Sequence, residues 1–585
     1  MKLLRLKITD PTGFRSLQAG FEVYFLRDWN YAEAGEFNPY ILAGPNGSGK
    51  SNVLEALAAI FYHIECMYLD YRPASFEYDK IENPQGYRSE MAAPNGFELE
   101  YFIPVPVSLK TSGSREYAHI RVVKENGNSP QIYWVNREMF ATPEQQARLK
   151  ADKPLAKIEA KVFLPDFVLG YSSGENEILS LPFFKMRFIH FDEYRDYLRN
   201  QDSYQGVPEG RLTFMNREYD QAIVLSNLLL QDKELLKPYK DEIGVEDIKA
   251  FRIIIKKYVK MENSQITNDP QEIDKFQASV VETSEDELGE IRYRLDITQN
   301  LKNTITKLKN CSTCSFYDAD VDELYLDYWV NDETKQAFAH NFDSAIELFQ
   351  AFQILLTLNL YTVSEKLKKE LYQSASLYVN ETIPTLPSDE RIMRFKEVSI
   401  QKCGIANNIF SKALSDGEHQ FLHSLGLCLL YKDKQCLFLL DEPETHFNPN
   451  WRAKFISSIR DCFQTEKAKS TMREMLITTH TPFLISDSRK EYVLLFNKNL
   501  KNKSVEVTRP DYNTLGASIN KITMTSFGKT ETIGGYAEKQ LNEIKDRFEA
   551  GAPKQEIIEE VNNLLGDSVE KILFVKRVLD SMEAK

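Results

Sequence analysis

Residues 44–51 read GPNGSGKS, and few stretches of this length restrict a fold so tightly. The spacing G-x-x-x-x-G-K-[ST] puts glycines where successive backbone N–H groups turn inward around phosphates, a shape held by a strand entering and a helix leaving. Tyr40-Ile41-Leu42-Ala43 is an apolar strand candidate before the loop, and NVLEALAAIFYHI is helix-compatible after it. The helix start adds its positive dipole end to the same anion. Lys50 is expected to reach the β- and γ-phosphates of ATP, and Ser51 to ligate Mg²⁺. Gly44, Pro45, Asn46, Gly47, Ser48, Gly49 and Asn52 complete the expected nucleotide-binding set.

Two later apolar runs end in polar residues of the right kind. Cys436–Leu440 (CLFLL) has no alternation, which suits a strand covered on both faces of a parallel sheet. Asp441-Glu442-Pro443 then emerges where open α/β sheets bind ligands. Asp441 is expected to hold the Mg²⁺ shell and Glu442 to polarise the attacking water. Met475-Leu476-Ile477 runs into Thr478-Thr479-His480, and His480 is expected to sense or bind the γ-phosphate. Between these motifs, residues 412–421 read KALSDGEHQF, in which Ser415–Glu418 is the S-x-x-E signature of a capped helix start.

The rest of the chain narrows the class. At 585 residues several domains are expected, and charged residues at 27% with hydrophobic residues at 42% suit a globular protein. A net charge of −14 argues against a surface coated for DNA, leaving only local basic clusters, Ile253–Lys260 and Lys498–Lys503, as candidates for DNA contact. Seven cysteines without dense spacing fit a reduced cytoplasm, and Cys311-Ser-Thr-Cys314 reads as packing rather than metal. MKLLRLKITD lacks a signal-peptide core, and no run is long enough to span a membrane.

Leu3–Ile8 reads as a strand edging a sheet, followed by strand candidates at Gly20–Leu26, Phe97–Phe102, Tyr117–Val123 and Gln131–Val135. Arg217–Leu230 and Ser344–Leu371 carry helical spacing, with strand-like runs between them. The C-terminal tail reads as two or three helices, broken at Gly551-Ala-Pro553 and Gly566-Asp567-Ser568. Sustained heptads are absent, so no long coiled coil is expected. The divisions expected are an N-terminal lobe (1–188), a largely helical insertion with some strands (189–394), a C-terminal lobe (395–510) and a helical tail (511–585).

The motif order resembles the ABC-type ATPase head of the RecF, SMC and OLD proteins, whose signature, usually L-S-G-G-Q, stands here as Leu414-Ser415-Asp416-Gly417-Glu418. The resemblance implies an α/β fold: a P-loop ATPase head with a mixed sheet core, an antiparallel β flank, a helical/β insertion and a helical tail. It also implies an ATP-sandwich homodimer, in which Ser415 and the Gly417 amide meet the partner's γ-phosphate in trans. Asp416 and Glu418 depart from the usual Gly and Gln. Two carboxylates near a phosphate are unfavourable unless they point away, and Glu418 is expected to reach back as the capping partner of Ser415. The glutamine that follows the phosphate loop in such heads has two candidate places, Gln131 and the stretch Val168–Gly174.

Asp441–Pro449 (DEPETHFNP) is similar to the D-E-P-E-x-H-x-x-P form of OLD-like and bacterial defence ATPases. After His480 only scattered acids follow (Glu491, Glu506, Asp511), and the eight histidines are dispersed, so nuclease chemistry is expected on another polypeptide. The combination looks like the ATPase subunit of Septu-type and retron-associated anti-phage systems. That resemblance implies higher assembly and a separate HNH nuclease partner, with a reverse transcriptase and its DNA in the retron case. The alternatives are a RecF-like repair or DNA-clamping ATPase and a scaffold with a dead nucleotide site.

Overall fold

The run CLFLL lies inside a seven-stranded sheet, the largest among the described residues. In the computed structural model, the described residues are 1–585 apart from 28–32, 110–115, 141–152, 175, 201–209, 263–279, 286–290, 364, 374–382, 384–386, 500, 502, 529–532 and 584–585. Strand Cys436–Asp441 is buried at every position and pairs in parallel with Glu474–Thr479 on one side and Phe167–Ser172 on the other. An apolar run without alternation is thereby covered on both faces, as a parallel sheet demands. The seven strands run in space Ser504–Thr508, Val493–Asn499, Tyr40–Ala43, Glu474–Thr479, Cys436–Asp441, Phe167–Ser172, Leu212–Phe214. Every neighbouring pair is parallel except the outer hairpin of Val493–Asn499 with Ser504–Thr508. Helix Lys50–Tyr68 leaves the phosphate loop and packs on this sheet, with Val53, Leu54, Leu57, Ile60, Phe61 and Ile64 buried.

A five-stranded antiparallel sheet flanks it, in the order Glu22–Tyr24, Lys2–Ile8, Phe97–Pro104, Tyr117–Lys124, Gln131–Trp134. Lys2–Ile8 is therefore an interior strand rather than the edge its alternation suggested. The short strand Glu22–Tyr24 takes the edge, and Leu3, Leu4, Leu6 and Ile8 are all buried. A second five-stranded sheet runs Cys314–Asp318, Glu323–Trp329, Val245–Ile255, Met393–Lys402, Ile409–Phe410. Met393–Lys402 pairs directly with Val245–Ile255, so this sheet spans the division expected at 394/395. The division expected at 188/189 falls inside helix Glu177–Asn200, after which Leu212–Phe214 returns to the central sheet.

Three helices, Gly535–Glu549, Lys554–Leu564 and Val569–Glu583, form the tail around their own core of Leu541, Ile544, Ile557, Val561, Phe574 and Val578. Their breaks fall at the Gly-Pro and Gly-Ser positions where helix caps are chemically favoured, and Ser568 Oγ accepts the Lys571 N–H at 3.1 Å. The protein is thus a mixed α/β fold with several sheets. No helix among the described residues is long and apolar enough to cross a membrane. Among the described residues no group of three or more His, Cys, Asp or Glu is arranged to hold a metal ion. Cys311 is buried, and its thiol donates to the Ala337 carbonyl.

Candidate nucleotide-binding site

The phosphate loop is shaped by its glycines. Gly44, Gly47 and Gly49 have φ of 151°, 74° and 96°, values that side chains disfavour. A Cβ on Gly44 would sit 2.3 Å from the Phe496 carbonyl oxygen, so the loop closes against the neighbouring strand only without one. Pro45, Asn46 and Gly47 are exposed at the tip, while Ser48, Gly49 and Lys50 are buried. Lys50 is 5% exposed, and its ammonium donates to the loop's own carbonyls, Gly44 O at 3.0 Å and Pro45 O at 3.1 Å. Burial lowers its pKa, and the carboxylates of Glu442, Asp441 and Glu444 pull it back up. A buried cation among carbonyls, with Ser48 Oγ buried and unpartnered, is a cradle suited to phosphate oxygens.

Asp441 ends its strand and collects three partners from three other elements. Ser51 Oγ donates to Asp441 Oδ1 at 2.7 Å, Thr478 Oγ1 to the same oxygen at 2.6 Å, and Asn176 Nδ2 to Oδ2 at 3.0 Å. Ser51 and Asp441 are thus juxtaposed as oxygen donors, and hard oxygen ligands are what Mg²⁺ takes. Glu442 follows at φ 49°, a left-handed backbone that a non-glycine residue adopts at some cost. Its N–H donates to Thr478 Oγ1 at 3.0 Å, and its carbonyl accepts from Ser173 Oγ at 2.6 Å. His480 Nδ1 lies 3.3 Å from Glu442 Oε2, both side chains being partly exposed. The geometry brings Lys50, Ser51, Asp441, Glu442 and His480 to one end of the central sheet.

Asn52 faces the other way. Its Oδ1 accepts from Ser16 Oγ at 2.5 Å and its Nδ2 donates to Glu55 at 2.8 Å, so it holds the loop's helix against the segment after the first strand. Ser415 is the N-cap of helix Asp416–Leu430, and Glu418 reaches back in a reciprocal capping box, as expected. Gly417 is packed under the loop after Glu442, since a Cβ there would lie 2.6 Å from the His446 carbonyl oxygen.

Four side chains beside these motifs have no place assigned to them by the sequence pattern. Asn176 is the chief one. Of the two candidate places, Gln131 is excluded, because it sits exposed on the far edge strand of the antiparallel flank. Val168–Gly174 is mostly the strand Phe167–Ser172 beside Asp441, and the amide that reaches the site comes two residues later. Asn176 Nδ2 also donates to Glu55 at 3.2 Å. An asparagine four residues beyond the end of strand Phe167–Ser172 takes the place where a glutamine is expected. Thr478 stands in the sequence only as a polar strand end, and Lys402, ion-paired with Glu418, lies on a separate sheet with no motif around it.

Glu444 is the fourth. It is fully buried, accepts from Thr479 Oγ1, and keeps Oε2 without a partner. Burial pushes its carboxyl up to about 7 from an ordinary 4.5. Between those values the native state holds a proton that the unfolded chain releases, so folding stability falls as pH rises through the window and levels off above it. The effect is on the order of 3 kcal/mol. Thermal melting of Glu444→Gln from pH 5 to 8 should show a flatter profile than wild type, and equal slopes would refute the assignment.

Of the two basic clusters, Lys498–Lys503 lies partly outside the described residues. In Ile253–Lys260, Lys256 lies 3.9 Å from Glu323, and the Lys257 ammonium stands 3.5 Å over the Tyr317 ring. Both contacts are internal.

No family model matches the sequence, and no curated protein matches it. Among solved structures, the crystal structure of the SMC head bound to the C-winged helix domain of ScpA aligns over 87% of this chain and 97% of that chain, with 11% identity and a TM-score of 0.29. A likeness that loose decides nothing.

Proposed function

We propose that this chain is an ABC-type ATPase head that binds Mg²⁺-ATP, closes on it as a dimer with a second copy, and hydrolyses it. The observation that carries the reading is the Ser51–Asp441 contact at 2.7 Å, which joins the phosphate loop to the acidic strand end beside Glu442 and His480. Lys50 would lie along the β- and γ-phosphates and offset their charge. Mg²⁺, held through Ser51 and Asp441, would supply further charge neutralisation on the phosphate oxygens. Glu442 orients the attacking water and takes its proton, and positioning of this kind is most of what phosphoryl transfer requires. His480 holds the Glu442 carboxylate in place. Asn176 fixes Asp441 from the side opposite Ser51 and Thr478.

Asn176→Ala should keep ATP affinity within a few-fold and lower turnover by about 10²-fold, since it removes positioning rather than binding. Steady-state hydrolysis alongside titration of a fluorescent ATP analogue measures both, and unchanged turnover would remove Asn176 from the site.

The wider role proposed is that of a cytoplasmic subunit of a bacterial anti-phage defence complex, of Septu or retron type. Its nucleotide state would hold a separate HNH nuclease in check, with a reverse transcriptase and its DNA joining in the retron case. The DEPETHFNP segment supports this reading. The test is the mass of the complex purified after expression with its genomic neighbours, with and without ATP. A nuclease retained in ATP and lost on nucleotide depletion is the expected result. An ATP-dependent dimer with no partner in either state would favour a RecF-like clamp on DNA.

A further inference from the structure

The signature segment carries an acid where an anion is to be received. Glu418 is the third residue of helix Asp416–Leu430, whose start offers Ser415 and the Gly417 amide. One carboxylate oxygen, Oε2, accepts from Ser415 N at 2.7 Å and Ser415 Oγ at 2.8 Å. The other, Oε1, is ion-paired with the Lys402 ammonium, and both side chains are mostly buried. Lys402 is the last residue of strand Met393–Lys402, which enters from the sheet built on Val245–Ile255. Partial burial works against the carboxylate's charge, but Lys402 together with the Ser415 N–H and hydroxyl outweighs it, so the group stays ionised below its ordinary range.

We propose that Lys402 is a positioning residue for the nucleotide contact in trans: it neutralises Glu418 and holds it as a cap, so that this helix start can accept the γ-phosphate of ATP bound by a second copy of the chain. The inference rests on the ATP-dimer reading above. Capping alone requires only that Glu418 reach Ser415, which Gln would also do. An acid in the first turn suits a helix dipole but repels an incoming phosphate, and the ion pair reconciles the two. Asp416, exposed and one residue from Ser415, is a second carboxylate at the same helix start.

The experiment uses the full chain with Glu442→Gln, so that turnover does not dissolve the dimer. The ATP concentration giving half-maximal dimer is read by light scattering. Adding Lys402→Ala should raise it about tenfold, the scale of one unscreened charge a few ångströms from phosphate. Lys402→Arg should stay near the parent. Lys402→Ala with Glu418→Gln should return towards the parent, because the charge needing compensation is gone. Loss of structure at this corner would not be repaired by removing a second partner, so the rescue separates the two, and nucleotide-free melting checks the fold of each variant. A Lys402→Ala chain that dimerises like its parent overturns the proposal, as does a double variant as weak as the single one. If Lys402→Ala melts early, the Lys402→Arg and Glu418→Gln variants carry the test, and a tenfold loss in either overturns it. A Glu442→Gln parent that never dimerises in ATP overturns the ATP-dimer reading itself, and the inference with it.

Discussion

Glu442→Gln should bind ATP as tightly as wild type and hydrolyse it about 10³-fold more slowly, leaving a closed dimer that survives gel filtration. The substitution keeps the shape of the side chain and removes the group proposed to take the water's proton, which places the expected loss in the chemical step. Its backbone contacts, the N–H donating to Thr478 Oγ1 and the carbonyl accepting from Ser173 Oγ, survive the change, while the ion pair of its carboxylate with His480 does not. The left-handed backbone at φ 49° is likewise retained, because Gln meets it as Glu does. Parallel measurements of ATP affinity, single-turnover rate and dimer mass decide the matter. Unchanged turnover would mean that another group activates the water.

Lys50→Ala should lose ATP binding, with affinity down roughly 10²-fold or more, the worth of a charged hydrogen bond to phosphate. The variant should fold as well as wild type or better. The ammonium is buried at a desolvation cost, and its partners in the free protein are two carbonyls of its own loop. Calorimetric titration with ATP and Mg²⁺, together with thermal melting of the free protein, tests both halves. A variant that binds and turns over ATP as before would remove Lys50 from the nucleotide site, whereas loss of ATP binding with every other activity of the chain unchanged would support the scaffold alternative.

Features decided by a few neighbouring residues are legible in the sequence. The glycine spacing of 44–51, the unbroken apolar run of 436–440 and the S-x-x-E of 415–418 are each decided within about ten residues, by backbone conformation, two-sided burial and capping. The tail's helix breaks belong to the same kind, because Gly and Pro act on the chain where they stand. Lys2–Ile8 shows the limit. Its alternation identified a strand, but whether a strand lies at an edge depends on what pairs beside it, and Glu22–Tyr24 takes that place. The expected division at 394/395 falls inside strand Met393–Lys402, which pairs with Val245–Ile255 from the preceding segment, for the same reason.

The site divides along that line. The motif chemistry of Lys50, Ser51, Asp441, Glu442 and His480 is written in short stretches of sequence, since each stretch must adopt one local shape to present its side chain. Asn176 reaches Asp441 across a sequence separation of 265, and Glu444 meets Thr479 across one of 35. Lys402 meets Glu418 only because an added strand ends beside the helix start. Such contacts depend on how separate sheets stack, and no local pattern of residues encodes them. Local conformation made the phosphate loop and its acidic partner visible in the chain, while the company each carboxylate keeps, and hence its charge, was settled by packing.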